Sequence, residues 1–216
     1  MIDITNTKIF GYEAAIRGMR NPMNSWDKSD SGCGCSHEYE IFGNCDLCDK
    51  YIGKQDYNLM LKLSKAGTDH AKFMRYINVT LDINAPLYWW KEFDTYKIGT
   101  VSNSCSTMHK LDARDLVIDD FSSESFDSLN PLLATINHIN ELRLKYLATS
   151  DKKYWRQMIQ LLPSSYNQTR NVMISYEALL NMYHARKNHK LQEWKDFCEW
   201  VTTLPLSEII TVPVER

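Results

Sequence analysis

The chain has 216 residues, 44% hydrophobic and 24% charged, enough to bury a sizeable core and unlike disordered, collagen-like or coiled-coil sequences. Its 25 Lys and Arg against 27 Asp and Glu leave a formal charge of −2, which argues against a broad nucleic-acid-binding surface. No apolar run approaches the ~20 residues of a bilayer-crossing helix, and MIDITNTKIFGYEAA lacks a secretory pattern, so a cytoplasmic protein with reduced cysteines is expected.

In chain order, the first distinctive stretch is residues 21–53, which hold four of the six cysteines and few aliphatic side chains. Such a stretch buries little apolar surface, and residues 27–53 read as an inserted loop. Its cysteines fall as Cys33-x-Cys35, nine intervening residues, then Cys45-x2-Cys48. Each pair can give two thiolates to one tetrahedral ion, and Gly32, Gly34 and Gly43 let the chain wrap around it. Structural zinc is the leading expectation, with His37 a possible replacement ligand. An iron–sulfur cluster, redox pairs and free thiols remain open. Four closing ligands would leave no open position, so this metal would staple the loop.

Residues 54–66 read as a helix with Tyr57, Met60, Leu61 and Ser64 on one face and Gly67 at its end. Strict alternation follows: Ile77, Val79, Leu81 and Ile83 against Asn78, Thr80, Asp82 and Asn84. That is a strand with one buried face and one face on solvent or a polar site. Asn84-Ala85-Pro86 predicts a helix start, carrying Leu87, Tyr88, Trp89, Trp90 and Phe93. The hydroxyl-rich segment from Ile98 to Cys105 reads as a loop. Residues 131–148 place Leu132, Ile136, Ile139, Leu142 and Tyr146 on one helical stripe. Further helices are expected over 152–162, 167–187 and 190–203, the last with Trp194, Phe197, Cys198 and Val201 inward, and Pro163 and Pro205 as breaks. The predicted class is α+β: a single helix-rich domain over 1–216 with a small antiparallel sheet.

Two blocks carry a family resemblance. Residues 70–100, HAKFMRYINVTLDINAPLYWWKEFDTYKIGT, match through His70, Thr80, Ala85, Pro86 and Ile98. From Leu162-Pro163 to about Trp194, the Leu-Pro step, Leu179-x-Asn181 and Arg186 followed by Gln192 fall in register; Ala14-Ala15-Ile16-Arg17 is a weaker echo. These blocks resemble the flavin-dependent thymidylate synthases. The resemblance implies their fold, homotetramer assembly with sites built between subunits, and FAD as cofactor with NADPH and reduced folate possible. It also implies a pyrimidine deoxynucleotide as substrate; the short apolar runs and the charge balance argue against a membrane and against nucleic acid as partners. The Arg-His-Arg signature of the family is replaced by Thr95-Tyr96-Lys97, which removes two of three cations and leaves Lys97 as a point charge.

By the same resemblance His70, Asn181 and Lys97 are flavin-side candidates, and Arg186 and Gln192 substrate-side candidates. Strict spacing sets Cys105 at the family's loop serine, whereas a one-residue insertion sets Ser106 there, so both are catalytic candidates. Each residue also has a plainer reading. Arg186 can be a surface cation, His70 a capping histidine, and the Tyr88-Trp89-Trp90 cluster is read as core before ring slot. Three functions follow as expectations. The first is an enzyme transferring a one-carbon or related unit to C5 of a pyrimidine deoxynucleotide. The second is a nucleotide- or flavin-binding protein that has lost the transfer chemistry. The third is an interaction module built on the cysteine loop.

Overall fold

The computed structural model describes residues 2–33 and 50–213. Cys35, Cys45 and Cys48, and most of the expected cysteine-rich insertion, lie outside them. The described chain runs β1 (Asp3–Phe10), α1 (Tyr12–Arg20), β2 (Gly32–Cys33), β3 (Lys50–Tyr51), α2 (Lys54–Lys65), β4 (Asn78–Pro86), α3 (Leu87–Phe93), β5 (Thr100–Ser104) and α4 (Thr107–Lys110). It continues with α5 (Asn130–Thr149), α6 (Lys152–Leu161), β6 (Asn167–Ser175), α7 (Tyr176–Arg186), α8 (Gln192–Thr202) and α9 (Glu208–Thr211).

Four strands form one antiparallel sheet in the order β1-β4-β6-β5, and β2 and β3 form a separate two-stranded ladder. The alternation read from the sequence sets the buried face. Val79, Leu81, Ile83 and Ala85 of β4 and Val172 and Ile174 of β6 are fully buried against the helices. The opposite face is polar. There Asp82 accepts from Asn171 Nδ2 and from Asn6 Nδ2, both at 2.7 Å. Those two donors favour the ionised form, the Asn171 amide first, and hold the Asp82 carboxyl below the usual carboxylate range.

Helices α1, α2, α3, α7, α8 and α9 share the main core with the sheet. Its densest part is aromatic: the Trp89 ring lies 4.9 Å from Trp90, 5.1 Å from Phe93 and 4.9 Å from Trp194, centroid to centroid. Trp89, Trp90 and Phe93 are thus core, not a ligand slot, and Cys198 is buried as expected. A second core joins Leu132, Ile136, Ile139 and Leu142 of α5 to Met158 of α6 and to Leu111, Leu116 and Phe121. Backbone bonds couple this region to the sheet: Leu87 N–H donates to the Tyr166 carbonyl at 3.0 Å and Ser122 N–H to that of Ser165 at 2.9 Å.

Three expected elements differ. The loop predicted from Ile98 to Cys105 contains an edge strand, β5; its side chains are mostly exposed, so it shows no hydrophobic period. The helix predicted over 167–187 is strand β6 followed by helix α7, split where the Ser175 hydroxyl caps the helix by accepting from Ala178 N–H. Asn84 does not cap α3; it stays in the strand opposite Thr169, and the helix begins after Pro86 without a side-chain cap.

Candidate active site

Strand β5 ends at Ser104, and the chain turns through Cys105 and Ser106 into α4. The main chain of Cys105 is clamped to β6: its N–H donates to the Thr169 carbonyl at 2.9 Å, and its carbonyl accepts from Gln168 Nε2 at 3.1 Å. Gln168 Nε2 also reaches Thr107 Oγ1 at 3.0 Å, while Gln168 Oε1 accepts from Arg170 Nε at 2.9 Å. Arg170 is itself held by Asp94 at 2.7 Å and lies 4.2 Å from the Trp90 ring centroid. A chain of contacts therefore runs from the aromatic core to the Cys105–Ser106 turn and fixes its backbone, while the Cys105 side chain is exposed.

This turn borders a cavity of about 240 Å³. Cys105, Ser106 and Thr107 form one wall, Asn84, Asn167 and Gln168 another, and Lys110, Arg114, Asp119, Asp120 and Tyr166 complete the lining with Thr169. The charges are unevenly engaged. Arg114 is paired with Asp120, which also accepts from Val117 N–H at 2.9 Å. Burial alone would raise the Asp120 carboxyl, but these donors outweigh it and hold it below its ordinary range. Burial, aided by Asp120, pushes the Tyr166 hydroxyl up, so it stays a neutral donor and acceptor. Lys110 makes no ion pair among the described residues. Balanced charge with several amides and hydroxyls suits a heterocyclic base with amide and carbonyl edges. The volume lies below the about 300–1,000 Å³ of whole small-molecule pockets.

The other predicted residues lie outside this lining. His70 caps a short 3-10 turn, Ala71–Arg75, instead of opening a strand, and its side chain is exposed. Lys97 and Asn181 are exposed, and their side chains make no hydrogen bond or ion pair among the described residues. Gln192, at the start of α8, donates to Asp196 at 2.8 Å. Arg186 is engaged within its own chain: Nε donates to the Tyr96 hydroxyl at 2.8 Å and Nη1 to Glu92 Oε2 at 2.7 Å. The same Glu92 oxygen accepts from Trp194 Nε1 at 3.0 Å and lies 3.4 Å from His189 Nε2. The guanidinium also sits 4.9 Å from the Trp194 ring centroid. A phosphate would have to share it with Glu92.

Sequence reasoning did not single out Gln168, Arg170, Asn167 or Lys110. Gln168 and Arg170 fall in a stretch whose sequence reads as helical; as residues of strand β6 they reach the Cys105 turn, Gln168 by bonding the Cys105 carbonyl and Arg170 by bonding Gln168.

A flavin, which the resemblance implies, is met by a donor set of mixed fit. His70, Lys97 and Asn181 have exposed side chains, and Lys97 makes no ion pair among the described residues, whereas Arg186 is engaged by Glu92.

No family model matches this sequence, and no curated protein matches it. Solved structures do. Flavin-dependent thymidylate synthase ThyX from Helicobacter pylori, complexed with FAD and dUMP, superposes with a TM-score of 0.72 at 14% identity, covering 99% of this chain and 100% of that one. A second structure of that enzyme with FAD and dUMP gives 0.69 at 15% identity over 97% and 96%. The UMP/dUMP methylase PolB from Streptomyces cacaoi, bound with 5-Br dUMP, gives 0.59 at 12% identity over 97% and 93%. Across nearly its whole length, the chain has the fold of the flavin-dependent thymidylate synthases.

Proposed function

We propose that this chain is a divergent enzyme of the flavin-dependent thymidylate synthase type, one domain over 1–216, transferring a one-carbon or related unit to C5 of a pyrimidine deoxynucleotide. The observation that carries the reading is a coincidence of fold and site. The fold is that of proteins crystallised with FAD and dUMP, and Cys105 and Ser106, selected by the family resemblance, border a polar cleft of base size. A bound flavin supplies the redox chemistry that completes a transferred methyl group.

The chain's own residues position and polarise. The clamped Cys105 backbone presents the Cys105 thiol and Ser106 hydroxyl to the pyrimidine. The Nδ2 groups of Asn84 and Asn167, which make no hydrogen bond among the described residues, donate to its carbonyl oxygens, and Lys110 attracts the anionic end. His70, Lys97 and Asn181 hold the flavin. NADPH and reduced folate serve as reductant and carbon donor, and the enzyme acts in the cytoplasm. The small cleft favours assembly as a homotetramer in which a second chain completes each site. Leu133, Leu144 and Leu147 of α5 are exposed and available for that contact.

A second reading, a flavin or nucleotide binder without transfer activity, is favoured by Thr95-Tyr96-Lys97 and by the engagement of Arg186 with Glu92. Tritium release from C5-labelled dUMP with FAD, reduced folate and NADPH separates the two. Release above background, reduced at least about 10²-fold by the combined Cys105→Ala and Ser106→Ala changes, supports the enzyme. Binding of dUMP without release supports the binder.

A further inference from the structure

The two edges of the main sheet are built differently. The β1 edge carries Asp3 and Lys8, and its pairing with β4 is interrupted between Thr5 and Lys8, where Asn6 takes a positive φ of 54°. Charge and irregular backbone keep an edge from adding another strand. The β5 edge has neither. From Ile98 to Ser106 the chain holds no charged residue and no proline, and β5 pairs with β6 in unbroken register.

That register fixes which backbone groups of β5 are left over. Ser175 N–H donates to the Gly99 carbonyl at 2.8 Å, and Cys105 N–H to the Thr169 carbonyl at 2.9 Å. The odd-numbered residues from Gly99 to Cys105 therefore turn their N–H and C=O groups to β6. Thr100, Ser102 and Ser104 turn theirs away from the sheet, and these groups find no partner elsewhere among the described residues. Around the same edge Ile98, Val101 and Met108 are 87%, 58% and 53% exposed.

We propose that β5 pairs antiparallel with β5 of a second copy about a two-fold axis at Ser102, joining the two sheets edge to edge. The spacing of the leftover groups makes the strand complementary to itself. Thr100 faces the partner's Ser104, Ser102 faces the partner's Ser102, and each facing pair exchanges two hydrogen bonds. No like charges oppose one another, and small hydroxyl side chains suit close cross-strand contact. Paired strands of this length alone fall short of the about 1,000 Å² of a lasting interface, and Ile98, Val101 and Met108 extend it with apolar area. Carried past the strand ends, the same register brings the partner's Gly99 opposite Cys105 and the partner's Lys97 towards Thr107, on the wall of the polar cleft. Neither Lys97 nor Asp119 of the cleft makes an ion pair among the described residues, so the second copy brings an unpaired cation to a cleft with an unpaired acid. A ligand role for Lys97 in that cleft rests on the nucleotide reading above; the interface does not.

The test is the mass of the full chain in solution, measured by sedimentation at micromolar concentration. Because Ser102 meets its own copy, Ser102→Lys or Ser102→Glu sets like charges about 5.5 Å apart, Cα to Cα, and is expected to halve the mass. An equimolar mixture of the two variants should restore it, which a folding defect in either would not allow. A monomeric unaltered chain, variants of unchanged mass, or a mixture that stays dissociated would each overturn the interface. The reaction is judged apart from this. A chain that releases tritium from dUMP while its mass ignores Ser102 keeps the enzyme and loses the interface. An assembly restored by mixing that binds neither FAD nor dUMP keeps the interface and loses the enzyme.

Discussion

Glu92 gathers Arg186, Trp194 and His189 around one carboxylate oxygen, and this gives α3, α7 and α8 a common polar anchor beside an otherwise aromatic core. Removing the carboxylate leaves a guanidinium that is mostly withdrawn from water without its counter-charge. Glu92→Ala is expected to cost about 1–3 kcal/mol in urea unfolding, in the range of hydrogen bonds to charged groups. Glu92→Gln retains an acceptor for Trp194 while removing the charge that competes with a phosphate. It should tighten dUMP binding in calorimetry if Arg186 reaches the nucleotide, and leave it unchanged if Arg186 serves only the fold. Asp82 gives a pH signature. Its folded value is depressed, so its contribution is present above the unfolded carboxylate value and is lost as pH falls through the folded one. Asp82→Asn should therefore lower stability at neutral pH and flatten part of the acid limb of stability against pH, the two proteins converging at low pH, as measured by thermal unfolding.

Elements were legible in the sequence where a period had a buried face behind it. The β4 alternation and the α5 stripe each correspond to side chains that pack, and both appear as expected. Leu81→Ala, at the centre of β4, should cost about 2–5 kcal/mol in chemical denaturation, whereas Ser102→Ala on exposed β5 should change little. Strand β5 was not legible because nothing on it is buried; its hydrogen bonds to β6 hold it, and backbone pairing leaves no mark on side-chain composition. Strand β6 was hidden for another reason. Its first half is polar, only Val172 and Ile174 in its second half alternate, and these run without a break into the apolar residues of α7. The candidate site inherits these gaps. Cys105 and Ser106 could be found by spacing, but Gln168 and Arg170, which hold their turn in place, become visible only once β6 is a strand.

At the scale of the molecule, the chain shares its fold with structures to which it is only 12–15% identical, so the same overall architecture is built from mostly different side chains. The proposed function draws on the polar cleft at the end of β5 and on the exposed Lys97, His70 and Asn181. The account rests on a flavin being held by them. The most direct measurement is the visible absorbance of the full chain after purification and after titration with FAD. Flavin bands retained by the protein, or quenched and shifted FAD fluorescence that saturates and weakens in a Lys97→Ala/Asn181→Ala variant, are predicted. A colourless chain that leaves FAD absorbance and fluorescence unchanged at every concentration would contradict it.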